Sequence, residues 1–349
     1  MTPSTSNPDR PPRWAGMMTP ASILFHPSQF PDPVRASLLD SLQTRRINHK
    51  FLYDGHKQTQ KWLELHEGHS PARTDPDCAT VYEQAFDGVL QLWKPPRTQV
   101  IGLGCGGGQK DSQLLSRLTR LGIDASYVAV DVSPAMVLAA RQCASQTIPA
   151  DRISMAVCDL AMTPDLPALL PAAGIPGSIG DPRLFTFFGM IPNFEPLQIL
   201  PLLTTLTGPR DELLISANLA PGPDYAQGCL KILPQYDNRL TREWLWLFLS
   251  DLGFRHEDGE FEFAIEGDED ELALLRIVVR YRLHRDVVVP MGINPVPFAK
   301  GEALRLFFSY RHTPATLGAL LNRHGMEVQQ SWISQSGEEG VFWIRNRRG

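Results

Sequence analysis

The segment VIGLGCGGGQKDSQLL at 100–115 constrains this chain more than any other. An apolar run flows into five glycines between Gly102 and Gly108 and then straight into a helical pattern. Glycines crowd such a junction for two reasons: the turn needs left-handed backbone, and a ligand must approach the main chain at the first amides of the helix. Around it the runs TQVIGLG (98–104), SYVAVD (126–131), RISMAVCD (152–159), RLFTFFG (183–189) and ELLISAN (212–218) alternate with helical stretches such as PAMVLAARQCAS. Strand and helix in strict alternation predict an α/β fold, a doubly wound parallel sheet of Rossmann-like type.

The flanking segments read differently. Residues 1–17 are rich in Pro, Ser and Thr without periodicity and are expected to form a flexible leader. VRASLLDSLQ, QTQKWLELH and CATVYEQAFDGVLQLW repeat apolar residues every three or four positions, which predicts amphipathic helices, with KFLYDG and HEGHSPARTDPD as loops between them. Beyond Asn218, GEFEFAIEGDEDELALLRIVVRYRLHRD reads as two strands around an acidic turn and ALRLFFSYRH as a third, an antiparallel sheet. PATLGALLNRHG then predicts a helix, and MEVQQSWISQ with GVFWIRN a hairpin that completes the central sheet. The expected domains are an α+β substrate domain (18–75 plus 222–308) and a Rossmann-like domain (76–221 plus 309–349).

Charge excludes two classes of partner. The net charge is −5, which supplies no basic footprint for nucleic acid or for an anionic membrane. No stretch approaches the roughly 20 apolar residues of a membrane span, and nothing at the start reads as a secretion signal. The five cysteines form no CxxC pair, which fits a reducing, cytoplasmic setting, and the expected assembly is a monomer or weak dimer. HEGH at 66–69 lacks metal-ligand spacing and GDEDE at 267–271 lacks the calcium-loop pattern, so no metal is expected.

Gly102, Gly104 and Gly107 satisfy GxGxxG, so a nicotinamide oxidoreductase is one reading. A dinucleotide site, however, places its ribose acid about 20 residues on, whereas Asp131 stands 27 beyond Gly104. A second acid, Asp159, follows the third strand. Glycines, an acid for ribose hydroxyls and an acid for an exocyclic amine suit an adenosine ligand without pyrophosphate. S-adenosylmethionine (SAM) is such a ligand, and its sulfonium favours aromatic walls, for which Phe187, Phe188, Phe194 and Trp244 are candidates. Cys105 is expected to fill space beside the ligand.

In KFLYDG (50–55), GLGCGGGQK (102–110), VAVDVS (128–133), CDL (158–160), PNFEP (192–196), QYD (235–237) and KGEALRLFFSYRHTP (300–314), taken in that order, the chain resembles the histidine-specific methyltransferases of ergothioneine biosynthesis. Relatives of that family include the fungal dimethylallyltryptophan N-methyltransferases. The resemblance runs from about Pro33 to the end and implies a class I SAM methyltransferase core with a second α+β substrate domain. It implies cofactor contacts from Gly104, Gly106, Lys110 and Asp131, with Asp159 near adenine. It also implies that Tyr53, Asn193 and Tyr236 grip the backbone groups of an amino-acid substrate.

The departures are informative. Gly102 replaces the family's first-strand acid, and the loop before Asn193 is one residue shorter, with Pro192 at a usual glycine. In LFFSYRH the glutamate of the family's E-x-S becomes Phe307, while the serine persists as Ser309. An imidazole facing phenylalanine leaves a polar nitrogen unpaired at about 1–3 kcal/mol, whereas an apolar side chain is welcome. Val279 stands where a larger Met is usual and makes room. The reading is therefore a SAM-dependent N-methyltransferase whose partner is a small-molecule aromatic or apolar amino acid, or derived amine, rather than histidine. A catalytically silent SAM or nucleoside binder is the alternative from another class.

Overall fold

The computed structural model describes residues 22–53, 55–69, 76–172, 180–267 and 272–347. The leader expected at 1–17 lies outside them, as does most of the acidic turn at 267–271. Eight strands form the central sheet in the order β1-β4-β3-β2-β5-β6-β13-β12. They are β1 Ile23–Phe25, β2 Arg97–Leu103, β3 Asp124–Asp131, β4 Ile153–Val157, β5 Arg183–Phe188, β6 Glu212–Asn218, β12 Met326–Ile333 and β13 Glu339–Asn346. The first six run parallel, whereas β13 runs antiparallel to both β6 and β12. The terminal hairpin thus completes the sheet, as its sequence predicts.

Period-two alternation divides the core in two. Ile101, Leu103, Val128, Val130 and Phe187 face one layer, packed on α6 (Leu166–Ala172), α7 (Pro196–Leu206) and α10 (Pro314–Arg323). Val100, Tyr127, Ala129 and Leu184 face the other, packed on α3 (Pro76–Leu92), α4 (Gln109–Arg120) and α5 (Pro134–Ala144). Burial on both faces is why these strands read as unbroken apolar runs rather than alternating ones.

A second lobe stands over the C-terminal ends of the parallel strands. Its antiparallel sheet runs in the order β11-β8-β7, with β7 Gly259–Gly267, β8 Leu275–Leu283 and β11 Ala303–Arg311. With α1 (Pro31–Thr44), α2 (His56–His69), α8 (Tyr225–Tyr236) and α9 (Arg239–Asp251) it encloses a core that includes Leu42, Leu52, Trp244, Phe248 and Leu306. A small hairpin, β9 Val287–Val289 with β10 Val296–Phe298, packs beside it.

Two boundaries differ from the sequence reading. Residues 23–25 belong to the central sheet, paired in parallel with β4, because three residues suffice for an edge ladder yet show no periodicity. Strand β11 crosses the expected division at 308/309 without a break, so one strand carries Phe307, Ser309 and Arg311. KFLYDG, read as a loop, begins inside a 3-10 turn at His49–Leu52 that Asn48 caps through Lys50 N. Among the described residues no helix is long and apolar enough to cross a membrane.

Candidate active site

Between the lobes lies a cleft of about 1560 Å³. Its floor is the glycine turn. Gly104 (φ 65°), Gly106 (φ 51°) and Gly108 (φ 73°) all adopt left-handed backbone. The amides of Gly104 and Cys105 both donate to Val130 O, at 2.8 and 3.0 Å, which draws the tips of β2 and β3 together. A Cβ at Gly104 would lie 2.6 Å from the Met190 side chain, and one at Gly108 would lie 2.6 Å from Ala140 Cα. A Cβ at Gly106 would instead lie 3.7 Å from the ring of Trp62 on α2, so the second lobe covers this part of the turn.

Three carboxylates surround that turn. Asp131, at the tip of β3, accepts from Gly106 N (3.0 Å) and Ser133 N (3.0 Å). Burial pushes its carboxyl up from the usual range, against the opposing pull of these amides. Asp159 is engaged more heavily than a free adenine acceptor would be: Oδ1 accepts from Ala161 N (3.0 Å), and Oδ2 accepts from Asn48 Nδ2 (3.1 Å) and faces Lys50 Nζ (3.4 Å). Both members of that ion pair are buried. Asp111, from the first turn of α4, accepts from Tyr127 Oη (2.6 Å) and Thr186 Oγ1 (2.7 Å) and is 2 % exposed.

Asp111 also explains Gly102. A Cβ there would overlap the Asp111 carboxylate and lie 2.9 Å from Tyr127 Oη. The acid missing from the first strand is replaced in space by one reaching over from the helix. Sequence reading saw the loss but not the replacement, because nothing in the pattern says that Asp111 points back toward β2.

At the far wall the structure gathers the predicted acceptor residues. Tyr53, Asn193, Tyr236, Phe307 and Ser309 all line the cleft. Tyr236 Oη donates to Ser309 Oγ (3.0 Å) and accepts from Arg311 Nη2 (2.7 Å). Asn193, at the end of the 3-10 turn Ile191–Asn193, holds its Oδ1 buried with no partner in the protein. Burial, with Asp131 and Tyr236 nearby, pushes the Tyr53 hydroxyl well up, so it stays protonated. Phe307 lies against Trp244 (ring centroids 5.7 Å) and Tyr236 (6.1 Å), and His49 stacks on it (5.0 Å). Burial and Arg305 hold His49 down at about 3, so the stacked ring is neutral.

The other predicted residues divide between the cleft and the core. Val279 pairs with Phe307 in the register but is fully buried in the second-lobe core and does not line the cleft. Phe187 is also fully buried, whereas Phe188, Phe194 and Trp244 reach the cleft. Lys110 lines it, but its ammonium donates to Tyr82 Oη (2.5 Å) and stands 3.9 Å from Glu339. Burial, then Asp131 and Asp111, raise the Cys105 thiol well above its usual range, which keeps it protonated. No metal-binding group of His, Cys, Asp or Glu occurs among the described residues. The cleft residues that sequence reading missed are Lys50, His49, Asp111 and Arg311; for Arg311 a signal existed, since it follows Phe307 and Ser309 at period two on one strand.

No curated protein matches the chain in sequence. Among solved structures it is similar to the CcbJ methyltransferase from Streptomyces caelestis, at 11% identity over 80% of this chain and 95% of that one, TM-score 0.37. It is similar to magnesium protoporphyrin IX methyltransferase from Synechocystis PCC 6803 with bound SAH at 13% identity, over 90% and 97% of the two chains, TM-score 0.37. The left-handed glycine cradle and Asp131 at the tip of β3 suit an adenosyl cofactor. A family model described as histidine-specific, SAM-dependent methyltransferase matches residues 32–346, with the cleft residues inside it, and the chain belongs to that family.

Proposed function

We propose that this SAM-dependent methyltransferase N-methylates the amino group of an aromatic or apolar amino acid or derived amine, and not histidine. One observation carries the reading: the cleft wall that would face the acceptor side chain is Phe307, closed in by Trp244, Tyr236 and the neutral His49 ring. Ser309, the polar group beside it, already hydrogen-bonds Tyr236. An imidazole there would bury a nitrogen opposite hydrocarbon, whereas an aryl or alkyl group would gain ring contacts.

Bound SAM supplies an electrophilic methyl on sulfur; the residues of this chain prepare the acceptor. Asn193 Oδ1, buried and without a partner, is placed to accept an amine N–H and so to fix the direction of the lone pair. Tyr53 remains protonated, so it donates rather than abstracts, and the amine must lose its proton to water before reaction. Trp62 over Gly106 excludes solvent from the turn.

The test is a mass-spectrometric screen of amino acids and aromatic amines with SAM, followed by kcat/KM for the best acceptors. Tryptophan or tyrosine derivatives are expected to exceed histidine, and Phe307→Glu is expected to shift the ratio toward histidine. Histidine turning over more efficiently than every aromatic or apolar acceptor would refute the proposal.

A further inference from the structure

The cleft runs on past Phe307 toward α1, and the side chains there carry more positive charge than they neutralise among themselves. Arg46 and Arg305 both line it, on segments joined by a parallel bridge. Arg46 is exposed, and no carboxylate among the described residues is in ion-pair contact with it. Arg305, its side chain 12 % exposed, faces Glu195 only at 3.6 Å, and its Nε is buried with no partner. Glu195 is already engaged, since it accepts from Arg276 Nη1 (3.0 Å) and Tyr310 Oη (2.8 Å). Arg276 also faces Glu266 (3.5 Å), which Arg280 shares. Four guanidinium groups therefore meet two carboxylates. Asp40 of α1 also lines the cleft, but it is exposed and pairs with none of them. Burial, then Arg276, hold the Arg305 guanidinium down at about 10, as expected of a cation short of counter-charge. A neutral donor lines the cleft beside it: His49 Nε2 accepts from Phe308 N (3.1 Å), which puts the ring proton on Nδ1, and that atom is buried with no partner.

We propose that Arg46 and Arg305 form an oxyanion subsite in the outer cleft, and that the acceptor carries a carboxylate or phosphate on its side chain, beyond the aryl or alkyl group that meets Phe307. The inference rests on the reading above that Phe307 faces the acceptor's side chain, and it narrows the acceptor class. The planar fork of arginine matches either oxyanion, and a partly buried guanidinium is costly without one. Position assigns the anion to the acceptor. Arg305 and Ser309 lie on one strand and flank Phe307 from opposite directions. Two strand residues rise at most roughly 6–7 Å, about the reach of a para substituent on a ring lying against Phe307. The strand bulges between Arg305 and Phe307, with Leu306 turned into the second-lobe core, a local kink of the kind that re-aims side chains. The glycine turn, by contrast, has its own cation in Lys110.

Calorimetric titration of the full-length protein, saturated with SAH, with three neutral and anionic pairs tests this: phenylalanine and 4-carboxyphenylalanine, phenethylamine and 4-(2-aminoethyl)benzoate, tyrosine and O-phosphotyrosine. The second pair lacks an α-carboxylate, so its contrast does not depend on how that group is held. In the wild type the anionic member of each pair that binds should bind about 10- to 100-fold tighter than its neutral partner, as charge-assisted hydrogen bonds require. Arg46→Met, a change at an exposed position, should lower that ratio at least about 3-fold, and Arg46→Lys should keep more of it. Arg46→Met combined with Arg305→Met should bring the ratio below about 3-fold. Equal binding within every pair by the wild type, or binding of the neutral members alone, overturns the proposal, a result that does not depend on any variant folding. So does an anion preference that survives both substitutions. Phenylalanine binding tightened by added inorganic phosphate, without preference for the 4-carboxy derivative, also overturns it, because the anion would then be a separate molecule. Histidine binding more tightly than all six compounds, with the preference within the pairs intact, would instead refute the acceptor reading and leave the subsite standing.

Discussion

Adding one methyl group at Gly102 tests how the turn is built. The Cβ of Gly102→Ala would lie 3.2 Å from Asp111 Cγ, overlap that carboxylate and sit 2.9 Å from Tyr127 Oη. Asp111 is a short side chain held at 2.6 Å by Tyr127 and 2.7 Å by Thr186, and at 2 % exposure it has no water to turn to. Overpacking costs about 1–3 kcal/mol, and breaking one hydrogen bond to a buried charged group about 1.5–3 kcal/mol, so Gly102→Ala should destabilise by roughly 3–5 kcal/mol. Asp111→Ala strands two buried hydroxyls, each at about 1–3 kcal/mol. In the double variant the new methyl occupies space vacated by the carboxylate, so the clash is counted once and then removed. The pair should be less damaging than the sum of the singles by about 2 kcal/mol. Urea denaturation of all four proteins, with midpoint and slope fitted together, reads this coupling. Additivity of the two substitutions within about 0.5 kcal/mol would show that Asp111 does not fill the place left by Gly102.

Two further outcomes follow from the same geometry. Asp131→Asn exchanges an acceptor-only carboxylate, bonded to Gly106 N and Ser133 N, for a half-donor amide, and SAH affinity measured by calorimetry should fall about 10- to 100-fold; unchanged affinity would remove Asp131 from the cofactor site. His312 is 1 % exposed with neither ring nitrogen partnered, and burial, then Arg311, hold it down at about 4 against an ordinary 6.5. The unfolded chain therefore takes up that proton first as pH falls, so its contribution is whole above about 6.5 and lost between there and 4, roughly 3 kcal/mol in all. In His312→Phe the acid limb of a stability-against-pH profile should be shallower by about that amount; an unaltered limb contradicts the assignment.

How legible each part was depends on whether its cause is local. Strands β2 to β6 announce themselves because both faces are covered, and Gly104, Gly106 and Gly108 because only glycine tolerates the backbone they adopt. The edge strand Ile23–Phe25 and the hairpin of Val287–Val289 with Val296–Phe298 are too short for a period to show. Phe187 and Phe188 are equivalent as letters, yet a strand turns successive side chains to opposite faces, so one fills the α7 layer and the other reaches the cleft. Lys50 with Asp159, and Asp111 with the space at Gly102, are pairings across the fold with no periodic trace in the chain.

Those unforeseen pairings decide how the two lobes act together. Asp159 lies at the end of a central strand, yet Asn48 and Lys50 of the second lobe hold its outer oxygen. Ser133, the cap of α5 and the neighbour of Asp131, shares a hydrogen bond with Thr59 of α2 (3.0 Å). Gly106 faces Trp62 on the same helix. The second lobe therefore shapes the Phe307 wall through β11 and touches the strand tips around the glycine turn through α2 and the 3-10 turn before Tyr53. Loosening either contact would shift both ends of the transfer path at once, and in-line methyl transfer is sensitive to displacements of about 1 Å. The junction consequently couples the two ends of the cleft: the ties at Asp159 and Ser133 hold the Phe307 wall in register with the glycine turn.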